Sequence, residues 1–363
     1  MQRKYQKLID VWGVALILIS TASIHAQAMS VRADRPDWFK TTSGNPAWNI
    51  VLEGPIELGD LTKVERALSE SGVDGADIYI TSPGGNLLEA MRIGRAIRKA
   101  RASTWLGTLR LDSDSRYGGP PGMTRVAGGC YSACALAFLG GVYRFGEKES
   151  KFGVHRFSST AESALIDLDL GQIVSASIVS YISEMGVDPT LLSLMMEKGR
   201  DGIRLLTSAE LLSLAVTNEG RQRPTWDVEL IKGTQYLRGS QKTYHGEGKI
   251  AFLCVKEQIF YYSFYEAGPE RAKGISEGNW HHSLLVDGET IQLPDSIRPV
   301  SIGSFVSAMF PLTKHQALLI SNAGHVGHAM QMARAAPTFV GYRIEIPRQY
   351  SNRVQLFLRN CVG

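Results

Sequence analysis

The sequence predicts an α/β chain that continues into a smaller β-rich part, and three observations predict it. A short apolar run, DIYIT at 77–81, ends in the breaker cluster Ser82-Pro83-Gly84-Gly85 and gives way to an amphipathic stretch reaching Lys99. Glycines, a compact apolar helix and a strand follow one another again in GGCYSACALAFLGG (128–141) and FGVHRF (152–157). Beyond residue 225 the texture changes to period-two alternation, in KIAFLCVKEQIFYYSFYEA (249–267), HSLLVDGETIQL (282–293), TFVGYRIEIP (338–347) and RVQLFLRNC (353–361). A chain of 363 residues suits two domains at ~100–200 residues each.

The elements follow in order. Residues 49–56 read as a strand. Residues 61–71 read as a helix with Leu61, Val64 and Leu68 on one face. The helix from about Asn86 to Lys99 sets Leu87, Leu88, Met91 and Ile97 against Arg92, Arg95 and Lys99. Residues 110–123, with glycines and two prolines, read as a surface loop, either a tolerated insertion or a lid. Residues 170–198 are helical in pattern with a stop at Met185-Gly186, and 206–214 form a helix started by Thr207-Ser208. The polar stretch 219–224 is the expected boundary between a first domain, 29–225, and a β-rich domain, 226–363.

The N-terminus reads as a secretory leader, 1–28. Arg3, Lys4 and Lys7 precede an apolar run from Val11 to Ile24 and the small residues of Ala26-Gln27-Ala28. The run is shorter than the ~20 residues that span a bilayer. The whole chain carries 39 basic and 35 acidic residues. Without the leader's three basic residues and Asp10 the balance is 36 to 34, a charge of +2. That is too weak to imply a nucleic-acid partner. The expected location is periplasmic or secreted, where an even set of four cysteines suggests disulfides. Cys254 and Cys361 are expected to pair; spacing alone leaves Cys130 and Cys134 open.

Acyl transfer needs a nucleophile, a base and donors aimed at the developing oxyanion. Ser132 opens an apolar helix, where free N–H groups favour negative charge. Gly84 and Gly85, lacking Cβ atoms, let backbone amides approach a ligand. His155 follows one strand later.

These segments resemble the Clp protease/crotonase superfamily in unbroken order over residues 48–218. YITSPGGNLLEAMRIGRAIR (79–98) is similar to the oxyanion turn of the Clp proteolytic subunit, GGCYSACALAFLGG to its nucleophile segment and FGVHRF to its histidine strand. Within the superfamily the chain resembles most the exported, periplasmic Clp protease-like proteins of Gram-negative bacteria that carry Cys-x-Ser-Ala-Cys. The resemblance implies a spiral of β-β-α units. It also implies Ser132 as nucleophile, His155 as base, Gly85 and Ala133 as oxyanion amides, and an acid before the 206–214 helix. Asp201 is the candidate acid and Glu197 its rival. The loop at 110–123 and the β-rich part are foreign to the Clp pattern, and an exported protein meets no cytosolic ATPase. The expectation is an ATP-independent serine peptidase acting on a peptide or protein substrate, with no cofactor, no metal and no ATPase partner; homo-oligomerisation stays open. The competing expectation is a non-catalytic peptide- or protein-binding protein on the same fold.

Other candidates read as structural. His281-His282 and His325-x-x-His328 lack companion ligands and are expected on the solvated surface. The Arg92–Arg101 basic face is expected to be solvated, and the Phe260–Tyr265 aromatics to be sheet core and edge.

Overall fold

The computed structural model describes residues 28–34, 48–71, 76–112, 122–157, 164–199, 202–334 and 339–362. The expected leader, Ala28 apart, and Asp201 lie outside them. The chain opens with β1 (Ser30–Asp34), β2 (Trp48–Glu53), α1 (Asp60–Ser71), β3 (Ala76–Thr81), α2 (Leu87–Lys99) and β4 (Ser103–Leu106). It continues through β5 (Thr108–Asp112), β6 (Gly122–Val126), β7 (Gly129–Tyr131), α3 (Ala133–Leu139), β8 (Arg144–Phe145) and β9 (Lys151–Val154). Then come α4 (Ala164–Glu184), α5 (Thr190–Met196), β10 (Arg204–Leu205) and α6 (Ser208–Ser213).

A five-stranded sheet has the order β1-β2-β3-β4-β8, parallel except at β1. Strand alternation divides β3: Ile78 and Ile80 enter the main core with α2 and α3, while Tyr79 faces the other way onto Val51, Trp105 and Leu109. A three-stranded sheet, β10-β9-β7, abuts the first. The two are joined where Ser82 bridges Cys130, with Ser82 N–H donating to Gly129 O at 2.8 Å and Tyr131 N–H to Ser82 O at 3.0 Å.

Local signals explain the helix ends. Asn86 caps α2 by accepting from Glu89 N–H, and Thr207 with Glu210 forms a capping box on α6. Every residue of α3 is buried, which its unbroken apolar composition requires. The flanks of the expected 110–123 loop are instead an antiparallel hairpin, β5 against β6 from Thr108↔Val126 to Asp112↔Gly122. Short alternating flanks around a Gly/Pro-rich stretch read as loop in composition, but backbone pairing decides them.

The rest of the chain comprises β11 (Thr225–Ile231), β12 (Thr234–Thr243), β13 (Gly246–Val255), β14 (Gln258–Glu266), α7 (Pro269–Ser276), β15 (His281–Val286) and β16 (Glu289–Gln292). It ends with β17 (Val300–Ile302), β18 (Phe305–Leu312), α8 (Lys314–Ser321), β19 (His325–Gln331), β20 (Val340–Glu345) and α9 (Arg348–Val362). Six strands form an antiparallel sheet, β11-β12-β13-β14-β18-β17, and four form another, β16-β15-β19-β20. One core, including Trp226, Phe252, Tyr261, Phe310 and Ile344, joins them. β14 alternates strictly: Ile259, Tyr261, Ser263 and Tyr265 are buried, while Tyr262 and Phe264 line a cavity of about 550 Å³ on the outer face with Tyr236 and Phe305.

Residues 353–361 correct the sequence expectation: they are helix, not strand. Val354, Leu358 and Cys361 are the buried positions of α9, spaced i, i+4, i+7 as one helical face requires. Cys361 bonds Cys254 of β13 (Cα–Cα 5.8 Å), and Cys130 bonds Cys134 (Cα–Cα 5.3 Å). Both distances suit a disulfide, and the two bonds fit an oxidising, non-cytoplasmic compartment. No helix among the described residues is long and apolar enough to cross a membrane.

The expected surface histidines also divide. His281 and His325 are partly or fully exposed, but His282 and His328 are buried at 0% and 1%. Their rings stack and share a hydrogen bond of 3.2 Å, with Ser263 Oγ 2.8 Å from the far nitrogen of His328. The basic face of α2 is likewise only partly solvated. Arg98 reaches inward to the carbonyls of Leu139 and Met185.

Candidate active site

Ser132 sits where β7 turns into α3, as the N-cap, with φ 57° and ψ −125° and no capping bond from its side chain. A non-glycine residue in this region costs roughly 1–3 kcal/mol and persists only where surrounding structure imposes it. Part of the imposition is visible. Ser132 N–H donates to Gly153 O at 2.9 Å, and Ala135 N–H donates to Ser132 O at 3.0 Å.

The glycine turn lies directly against this serine. Gly84 has φ +107°, and a Cβ built on it would stand 2.7 Å from Ser132 Cβ and 2.8 Å from Tyr131 O. Only glycine allows that approach. Gly85 bridges Ile56: Ile56 N–H donates to Gly84 O and Asn86 N–H to Ile56 O, each at 2.8 Å. In this pattern the N–H of Gly85 itself points away from Ile56. Ala133 is the first residue of α3, so its N–H has no partner in the helix. Among the described residues, neither amide donates to an acceptor within the chain.

His155 follows the last residue of β9. Because β7 and β9 are parallel with Tyr131 opposite Gly153, Ser132 leaves its strand beside the residues that lead into His155. The His155 Nδ1 lies 2.8 Å from Arg156 O. A carbonyl can only accept, so Nδ1 is the donor in this contact, and in the neutral ring Nε2 is then the nitrogen able to accept. Among the described residues, no hydrogen bond joins the Ser132 hydroxyl to this ring.

The two candidate acids fare differently. Asp201 is outside the described residues. Glu197 caps the C-terminus of α5, and its carboxylate pairs with Arg204 at 3.2 Å. β10 pairs antiparallel with β9 as Arg204↔Val154 and Leu205↔Gly153, ending the ladder one residue before His155.

Sequence reasoning missed an apolar surface beside the histidine. Gly153 leaves room for Tyr131, Ile203 and Leu205, whose side-chain atoms would stand 2.5–3.2 Å from a Cβ built there. Ile203 and Leu205 remain 47% and 45% exposed. Ile203 lies just before the two-residue strand β10 that holds Leu205, a segment too short to stand out in the sequence. Such a surface suits apolar side chains of an extended ligand.

No family model and no curated protein matches the chain. Among solved structures, a mutant of ClpP1 from Listeria monocytogenes is similar over 47% of this chain and 88% of its own, at 16% identity and a TM-score of 0.36.

Proposed function

We propose that this chain is an exported serine hydrolase, an ATP-independent peptidase using Ser132 and His155 on a Clp/crotonase-like spiral, with residues 29–225 as the hydrolase domain and 226–363 as a β-rich accessory domain. The observation that carries it is the positive-φ turn at Ser132 packed on the Gly84 turn. Ser132 stands there at the start of a buried helix, and among the described residues the Gly85 and Ala133 N–H groups donate to no acceptor. Export is supported by the leader-like residues 1–28 and two disulfides. The substrate class is an extended peptide or loosely folded protein, on the apolar surface of Tyr131, Ile203 and Leu205.

In this mechanism Ser132 Oγ attacks the acyl carbon while His155 Nε2 takes its proton. The tetrahedral oxyanion accepts from the N–H groups of Gly85 and Ala133. The imidazolium returns the proton to the leaving amine as the C–N bond breaks. Water, deprotonated by the same nitrogen, then cleaves the acyl-enzyme ester. Asp201 is assigned to steady the imidazolium.

A second reading, a peptide-binding protein on the same fold, is favoured by one observation: no hydrogen bond couples Ser132 to His155. Catalytic hydrogen bonds often tighten only on ligand binding, so labelling separates the readings. A fluorophosphonate should form an adduct on Ser132 of the wild type and none on Ser132→Ala. A folded wild type that resists the reagent and still binds peptides would favour the binding protein.

A further inference from the structure

We infer that the Cys130–Cys134 disulfide is a positioning element for Ser132, holding the serine in its positive-φ turn, so that the site gains its working geometry only once both thiols are oxidised. The consequence for activity rests on the hydrolase reading; the consequence for conformation does not.

The bond spans the serine. Cys130 belongs to β7, pinned by the Ser82 bridge and by pairing with Phe152 of β9. Cys134 is the second residue of α3, and both cysteines are 0% exposed. Between them the chain must turn from strand to helix, and Ser132 carries the reversal at φ 57°. A disulfide admits Cα separations of roughly 4.4–6.8 Å; four unrestrained residue steps reach up to about 13 Å. The 5.3 Å separation therefore confines 130–134 to a tight turn. Ser132 does not stabilise that turn with its own side chain. Relaxation of Ser132 to negative φ would swing its Cβ off the Gly84 turn and redirect the Ala133 N–H.

Burial makes the bond a brace and not a reversible switch, since a reductant cannot reach either sulfur in the folded chain. Formation removes two electrons and two protons from the thiols and passes them to a disulfide oxidant, which leaves as a dithiol. In a reducing cytosol the pair stays as thiols, and the site is slack until the chain reaches an oxidising compartment.

The test compares wild type with Cys130→Ala/Cys134→Ala, both retaining Cys254–Cys361. The first-order rate of fluorophosphonate attachment to Ser132 should fall about 10–100-fold, the scale of a small misplacement of reacting groups. The reagent's half-saturating concentration should change little and the variant should stay folded under the labelling conditions, a split that a general loss of structure would not produce. In crystals of the variant, Ser132 should leave positive φ. Wild-type labelling rate, or an unchanged Ser132 φ, overturns the inference. If the double alanine variant does not fold, Cys130→Val/Cys134→Ala restores buried volume and is judged the same way. If even the wild type forms no adduct, the hydrolase reading fails. The brace is then decided by φ alone, relaxed for it and unchanged against it.

Discussion

The Tyr244 hydroxyl donates a 2.6 Å hydrogen bond to Asp77 Oδ2, across 167 residues of sequence. Tyr244 lies in the turn between β12 and β13 and packs edge-on against Trp105 and Phe145. It thus ties the six-stranded sheet to the outer face of the five-stranded one. Burial raises the Asp77 carboxyl above its ordinary range, only partly offset by Tyr244, Trp105 and Arg125. A raised folded-state pKa means that stability present below the unfolded value of about 3.9 is lost as pH rises through the folded value. Urea unfolding from pH 4 upward should show this loss in wild type and not in Asp77→Asn. Tyr244→Phe should cost about 1–3 kcal/mol by stripping a partner from a buried carboxylate.

The buried histidines predict the opposite slope. Burial, then the neighbouring His282, pushes His328 down to about 3. The folded state therefore keeps it neutral, while the unfolded chain binds a proton near pH 6.5. Stability should fall by about 1.4 kcal/mol per pH unit as pH drops from ~6.5 toward the folded value. Chemical denaturation of His328→Gln should show a shallower acid limb than wild type. An equal limb in both would locate the acid sensitivity elsewhere.

For the site, Ser132→Ala and His155→Ala should each remove most hydrolysis, and the double variant should cost little more, because such residues act as a unit. Asp201→Asn should lower the rate less than either. Glu197→Gln, whose carboxylate serves Arg204, should leave the rate near wild type. Steady-state peptide hydrolysis measures all five variants. Full activity in Ser132→Ala would end the mechanism.

The Cys254–Cys361 bond closes a sequence separation of 107 and clamps α9 onto β13. Cys254→Ala/Cys361→Ala should lose up to about 5 kcal/mol in the chain-entropy view. Thiol counting on denatured, unreduced wild type should find neither cysteine free.

Arg144 should be the most sensitive charge in the first part of the chain. Its side chain is buried and donates to the carbonyls of Val216, Gly141 and Ala215 at 2.7–2.9 Å. Burial, with Arg98 nearby, pushes it down to about 9. Arg144→Met strands several buried acceptors and should cost about 3 kcal/mol or more, read by thermal unfolding.

Much of this was legible locally. The strand DIYIT, the Gly84-Gly85 turn, the capped helices α2 and α6 and the apolar helix α3 all depend on neighbours a few residues away, which a sequence displays. So did the candidacy of Ser132 and His155, since a serine at a helix start and a histidine at a strand end are local signatures. Only the tertiary structure decided the rest. α9 reads as a strand until Val354, Leu358 and Cys361 are seen sharing one buried face. His282 and His328 look solvated until strand pairing stacks them in the core. The disulfide at Cys130 and Cys134 depends on a reversal at Ser132 that spacing does not encode. Gly84 meets Ser132, and Tyr244 meets Asp77, because sheets join residues that the chain keeps far apart. Local backbone preference is written residue by residue. Long-range pairing depends on which apolar faces bury one another, and that is settled only when the whole chain is packed.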